Sequence, residues 1–95
     1  MIVTGMDNFL SICKRKLVEW YNEAFEGNSV YIQQRIDLSN VYVVWSCKTL
    51  QNYKALLSTS VSGDGIYVEF TYNGDKQELY MDVYRKILNR KITDE

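Results

Sequence analysis

Apolar and polar residues alternate with two different periods along this chain. Projected at 100° per residue, the stretch from Phe9 to Glu26 gathers Phe9, Trp20, Cys13, Ala24, Leu17, Leu10, Tyr21, Phe25 and Val18 on about half of a helical circumference. Ser11, Arg15, Lys16, Glu19, Asn22, Glu23 and Glu26 fill most of the other half, with Lys14 inside the apolar arc and Ile12 inside the polar one. The pattern predicts a helix capped at Asp7 or Asn8 and stopped at Gly27-Asn28. Arg15 and Glu19 are spaced to pair along it. An arc this wide exceeds the stripe that one sheet contact needs. Its surplus edge, Val18, Phe25 and Tyr21, is a candidate surface for a second copy of the chain.

From Val41 the period shortens. Val41 to Lys48 is rich in β-branched and aromatic residues. Alternation puts Val41, Val43, Trp45 and Cys47 on one face and Tyr42, Val44, Ser46 and Lys48 on the other. Thr49 to Asn52 reads as a turn, Tyr53 to Ser60 as a second strand carrying Ala55, Leu57 and Thr59 inward, and Ser62-Gly63-Asp64-Gly65 as a turn. Ile66 to Tyr72 is a third strand with Ile66, Val68, Phe70 and Tyr72 on one face, followed by Asn73-Gly74, a favoured two-residue hairpin turn. Residues 28–40 read as irregular, with some extended character at Val30 to Ile32.

Residues 76–89 admit two patterns. One is a fourth strand, Gln77 to Met81, with Leu79 and Met81 inward, and then a short helix from Asp82 burying Val83, Tyr84, Ile87 and Leu88. The other is a single helix from Lys76, capped by Asp75 with Glu78 as its box partner. The Asn-Gly signal favours the first. Either way the expectation is one α+β domain over residues 1–95. It has an antiparallel sheet of three to four strands in the order αβββ(β)α, packed against a long N-terminal helix, with a short C-terminal helix.

Composition narrows the chemistry more than it names it. The chain has 95 residues, a net charge of −1 and no histidine. The commonest general base is therefore missing, and with it every triad built on histidine. The glycines sit at the N-terminus, a helix stop and turns, so no phosphate loop is formed. Two cysteines, Cys13 and Cys47, fall in apolar periodic positions and read as reduced core residues; they cannot supply a zinc site alone. Glu19 and Glu23 read as a solvated helix face, and Glu69 and Asp82 as outward strand carboxylates. The expectation is a protein that is not an enzyme and has no cofactor. No apolar run reaches the ~20 residues of a membrane span, and the start, MIVTGMDNF, is no secretory signal, which predicts a soluble intracellular chain.

Two features point to binding instead. Eight tyrosines and two tryptophans exceed what one small core can hold, and both types dominate binding hot spots. Arg85, Lys86, Arg90 and Lys91 would form a basic face on the C-terminal helix, opposite Val83, Tyr84, Ile87 and Leu88. Double-stranded-RNA-binding domains share the element order helix, three strands, helix, but they depend on basic phosphate contacts, and this chain lacks a lysine-rich helix start.

The run Val41-Tyr42-Val43-Val44-Trp45-Ser46-Cys47-Lys48-Thr49-Leu50-Gln51-Asn52, continued by Lys54 to Thr59, resembles a family of small proteins from phages of Gram-positive bacteria. The likeness resumes at Phe70 to Lys76 and at Asp82-Val83-Tyr84, and Phe9 to Glu23 fits it as well; residues 28–40 do not. The family is a domain of unknown function. The resemblance implies a phage gene product acting in the host cytoplasm and brings no catalytic or binding residues with it. The preferred expectation is a protein-interaction module, a homodimer that binds a host or phage protein. Its candidate contacts are Lys48, Gln51, Asn52 and Tyr53 around the first hairpin and Arg85, Lys86 and Arg90 on the basic face. The alternatives are nucleic-acid binding through that face and sequestration of a nucleotide or other small ligand in a tyrosine-lined pocket.

Overall fold

A computed structural model describes residues 1–93. One helix, α1 (Met6–Glu26), precedes four strands: β1 (Val41–Thr49), β2 (Asn52–Thr59), β3 (Ile66–Asn73) and β4 (Glu78–Arg85). The strands form one antiparallel sheet in the order β1-β2-β3-β4. The α+β expectation therefore holds for the helix and the sheet.

α1 starts two residues earlier than a cap at Asp7 would place it. Gly5, in extended conformation, occupies the cap position with no side-chain bond, and Asn8 Oδ1 instead accepts from the Thr4 N–H at 2.9 Å. At the other end the left-handed residue is Asn28, φ 62°; the Asn28 and Ser29 N–H groups close the last turn on Phe25 O and Ala24 O. Phe9, Cys13, Leu17 and Tyr21 are fully buried. Tyr21 is thus core and does not belong to a surplus edge, while Val18 and Phe25 are partly buried where they pack against that core. The helix ion pair is Lys16–Glu19, at 3.4 Å, in place of Arg15–Glu19.

Residues 28–40 form no edge strand. Their one regular element is a 3-10 turn at Leu38–Asn40, held by a capping box between Asp37 and Asn40. Asn22 clamps the segment to α1: its Nδ2 donates to Ile36 O at 2.9 Å and its Oδ1 accepts from the Ile36 N–H at 2.8 Å. Ile32 and Ile36 thereby reach the core.

The main departure from alternation is in β1. Val41 and Val43 pair with Thr59 and Leu57, but the register slips between Val43 and Trp45. Val44 is the extra residue of a β-bulge, and an extra residue inverts every side chain beyond it. Trp45 then pairs with Leu56 and Cys47 with Lys54, on the face turned away from α1. Both are exposed, so neither is the core residue that strict alternation predicts. Cys13 is the buried thiol.

The fourth strand of the first alternative is present, with Leu79 and Met81 on the inner face, but β4 runs on to Arg85 and takes the place of the C-terminal helix. The strand pairs with β3 without interruption from Asn73↔Glu78 to Ile66↔Arg85, so Asp82 to Arg85 are strand and not the start of a helix. Residues 86–93 carry no helix or strand and are exposed throughout. Leu79, Met81 and Val83 alternate as well as Val83, Tyr84, Ile87 and Leu88 recur helically, and eight ladder partners on β3 decide between the two patterns. The Asn73-Gly74 turn is also longer than two residues. Asn73 ends β3, its Oδ1 accepts from the Asp75 and Lys76 N–H groups, and Gln77 takes the left-handed position at φ 54°.

The core lies between α1 and the inner face of the sheet, where Tyr53, Ala55, Leu57, Ile66, Val68, Phe70 and Tyr72 are buried. Phe9 and Tyr53 rings lie 5.2 Å apart, and Tyr53 and Tyr72 6.2 Å apart.

Candidate functional site

A two-layer fold covers one face of its sheet and leaves the other to solvent or a partner. In this chain the open face is laid out by the ladder registers. The first cross-strand row is Tyr42, Ser58, Tyr67 and Tyr84; the next is Trp45, Leu56, Glu69 and Asp82; the third is Cys47, Lys54, Thr71 and Tyr80. Half-exposed aromatics therefore reach from edge to edge: Tyr42 is 47% exposed, Trp45 41% and Tyr84 53%. An antiparallel sheet with a solvated face ordinarily shows polar residues there. The charges between the rings are mixed, with Lys54 Nζ 3.7 Å from Glu69 Oε1. Asp82 stands beside Glu69 in the register.

The residues singled out from sequence do not converge. They fall at opposite ends of the sheet. Lys48 lies over the Tyr53 ring, 5.6 Å from its centroid, and Tyr53 itself is core. Gln51 and Asn52 fasten the first hairpin to the second: Asn52 Oδ1 accepts from the Gly74 N–H at 2.9 Å, and the Gln51 amide donates to Asp75. The approach is so close that a Cβ on Gly74 would stand 2.2 Å from the Gln51 carbonyl oxygen. Leu50, between the two strands, is held at φ 56° and is exposed. At the other end, Arg85 stacks on the Tyr31 ring at 4.9 Å, and the Lys86 N–H donates to Gly65 O at 2.7 Å. Arg90 is exposed in the irregular C-terminal arm. Without a helix there, no basic face aligns Arg85, Lys86, Arg90 and Lys91.

One buried polar cluster went unread in the sequence. Asp64, in the turn between β2 and β3, accepts from Tyr21 Oη at 2.8 Å, Thr59 Oγ1 at 2.5 Å and the Ile66 N–H at 3.0 Å. Burial, then the hydrogen bond to Asp64 and its charge, raise the Tyr21 pKa. Every buried polar side-chain atom among the described residues has a partner, so this cluster fastens α1 to the turn and has no group left over for chemistry. The only sequence signal was a carboxylate between two glycines.

Tyr21, Tyr53 and Tyr72 pack in the core between helix and sheet, and the cavities at the surface include a hollow lined by Trp20, Tyr31 and Tyr84. Among the described residues no group of three or more Cys, Asp or Glu is placed to hold a metal ion, and no helix is long and apolar enough to cross a membrane.

These features define a small α+β protein, one helix on a four-stranded antiparallel meander with an aromatic-bearing open face. The chain belongs to a family of unknown function, DUF6275, whose model matches residues 10–94. No curated protein and no solved structure matches it.

Proposed function

We propose that this chain is a non-enzymatic interaction module that binds another protein through the open face of its sheet. The observation that carries the reading is the row Tyr42, Tyr67 and Tyr84, with Trp45 beside it, uncovered by any other element. Rigid aromatics on a fixed scaffold supply large contact area at low entropic cost, and they concentrate binding energy in few residues. Glu69 and Asp82 in the middle of that face favour a protein over a polyanion, since a phosphate backbone is held by cations. The resemblance to small phage proteins extends the reading: an accessory protein acting in the host cytoplasm on a host or phage protein. Association of two copies belongs to the same reading, on a different surface.

The test is affinity purification from host cells producing the tagged chain, followed by a binding titration with the purified candidate. Trp45→Ser with Tyr42→Ser is expected to weaken binding by about thirtyfold or more, the effect of losing ~2 kcal/mol or more of hot-spot contact, while the fold is kept. Binding that survives the double substitution unchanged excludes the open face.

A further inference from the structure

A second surface lies on the helix side of the sheet, along β4. α1 does not reach this strand fully. A groove of about 320 Å³ runs between them, floored by Trp20, Phe70, Leu79 and Met81 and rimmed by Lys16, Glu19 and Glu23. Lys16 is already paired with Glu19, so the rim is acidic on balance. The outer edge of β4 has no strand neighbour. Every second residue of β4 turns its backbone N–H and C=O to that edge, which is open to another chain unless something covers it.

The arm that follows β4 has the opposite character. Lys86, Arg90 and Lys91 lie in it and Asp94 and Glu95 follow, so residues 86–95 carry a net charge of +1. Ile87, Leu88 and Ile92 are each more than half exposed. Apolar side chains in an exposed basic segment fit an apolar floor with an acidic rim. The chain's own arm stops short of the groove: the Lys86 N–H is bonded to Gly65 O, Ile87 lines a neighbouring hollow beside Trp20, and Leu88 and Ile92 stay exposed.

We propose that the groove between α1 and β4 receives the C-terminal arm of a second copy of this chain, in reciprocal exchange. Leu88 and Ile92 of the incoming arm cover Trp20, Leu79 and Met81, and its Arg90 and Lys91 meet Glu19 and Glu23. The arm lies across the free edge of β4 and shields it from pairing with another strand. Charge complementarity chooses the occupant, because floor, rim and arm all come from one sequence.

Sedimentation equilibrium and native mass spectrometry of the full chain test this. The wild type is expected to dimerise at micromolar concentration, more weakly as salt rises. Leu88→Asp is expected to weaken the dimer by about tenfold or more, from the apolar burial it removes. Glu19→Lys with Glu23→Lys, and separately Arg90→Glu with Lys91→Glu, are each expected to abolish self-association, and mixing these two proteins to restore a heterodimer in which both interfaces are again complementary. All these side chains are exposed in the single chain, so the variants keep the native circular dichroism spectrum. A wild type that stays monomeric, a dimer indifferent to Leu88→Asp, or a mixture that fails to pair overturns the proposal. None of the substitutions touches the Tyr42 and Trp45 face, so failure here leaves the open-face reading standing.

Discussion

Replacing Tyr21 by Phe removes one oxygen from the centre of the molecule and leaves the packing of the ring almost unchanged. That oxygen bridges α1 and the β2–β3 turn by donating to Asp64 Oδ2 at 2.8 Å. Asp64 keeps the Thr59 hydroxyl on the same oxygen and the Ile66 N–H on the other, so the carboxylate is not stripped bare. A hydrogen bond to a charged group contributes roughly 1.5–3 kcal/mol. Asp64 is 9% exposed, and water reaching its edge offsets part of the loss, which places the expected cost at about 1.5–2 kcal/mol. For a domain of this size that corresponds to roughly 6–10 °C in the unfolding midpoint. Urea unfolding at neutral pH gives the quantity directly, with an unchanged slope showing that only stability moved. Tyr67→Phe, on the open face, is the control and is expected to stay within ~0.5 kcal/mol of wild type. The Tyr21 pKa is raised in the fold, so the stability this group contributes is fully present below its unfolded value of about 10 and is lost as pH rises above that. Tyr21→Phe should remove that part of the alkaline loss. A cost below ~0.5 kcal/mol, or an alkaline limb identical to wild type, would refute the role given to the cluster.

Two further outcomes follow from the fold. In native protein a thiol reagent should label Cys47 quickly and leave Cys13 untouched until unfolding, because Cys13 is buried and desolvation pushes its pKa up to about 12; mass spectrometry of the labelled peptides reads this, and equal labelling would contradict the inversion of β1. Gly74→Ala should destabilise by about 1–3 kcal/mol in the same urea assay, the usual cost of overpacking, since its methyl would collide with the backbone of the Leu50-Gln51 turn.

Much of the fold was legible because period and burial agreed. The inner faces of β2 and β3 are the residues that alternation selected, and α1 buries Phe9, Cys13, Leu17 and Tyr21 from its apolar arc, with Ile12 buried beside them although the projection sets it among polar residues. The failures have physical reasons. Period-two counting has no means of inserting an extra residue, so the bulge at Val44 misplaced Trp45 and Cys47 together. The residues after Leu79 satisfied both a helical and a strand pattern, and a long-range ladder to β3 settled what local spacing left open. Local pattern shows Gln51 and Asn52 only as a turn after a strand; their partners, Asp75 and Gly74, lie more than twenty residues away, and only the closed sheet brings them into reach. The open face was legible only as a surplus of tyrosines, since which of them stand uncovered depends on where α1 stops.

The proposed binding surface exists only if the second half of β1 is turned away from the helix. Acrylamide quenching of Trp45 fluorescence in a Trp20→Phe protein measures this with a single probe. Ready quenching and water-exposed emission in the native state are the expected result. Blue-shifted emission protected from the quencher until the chain unfolds would return Trp45 to the core and leave the sheet without the face on which the proposed function rests.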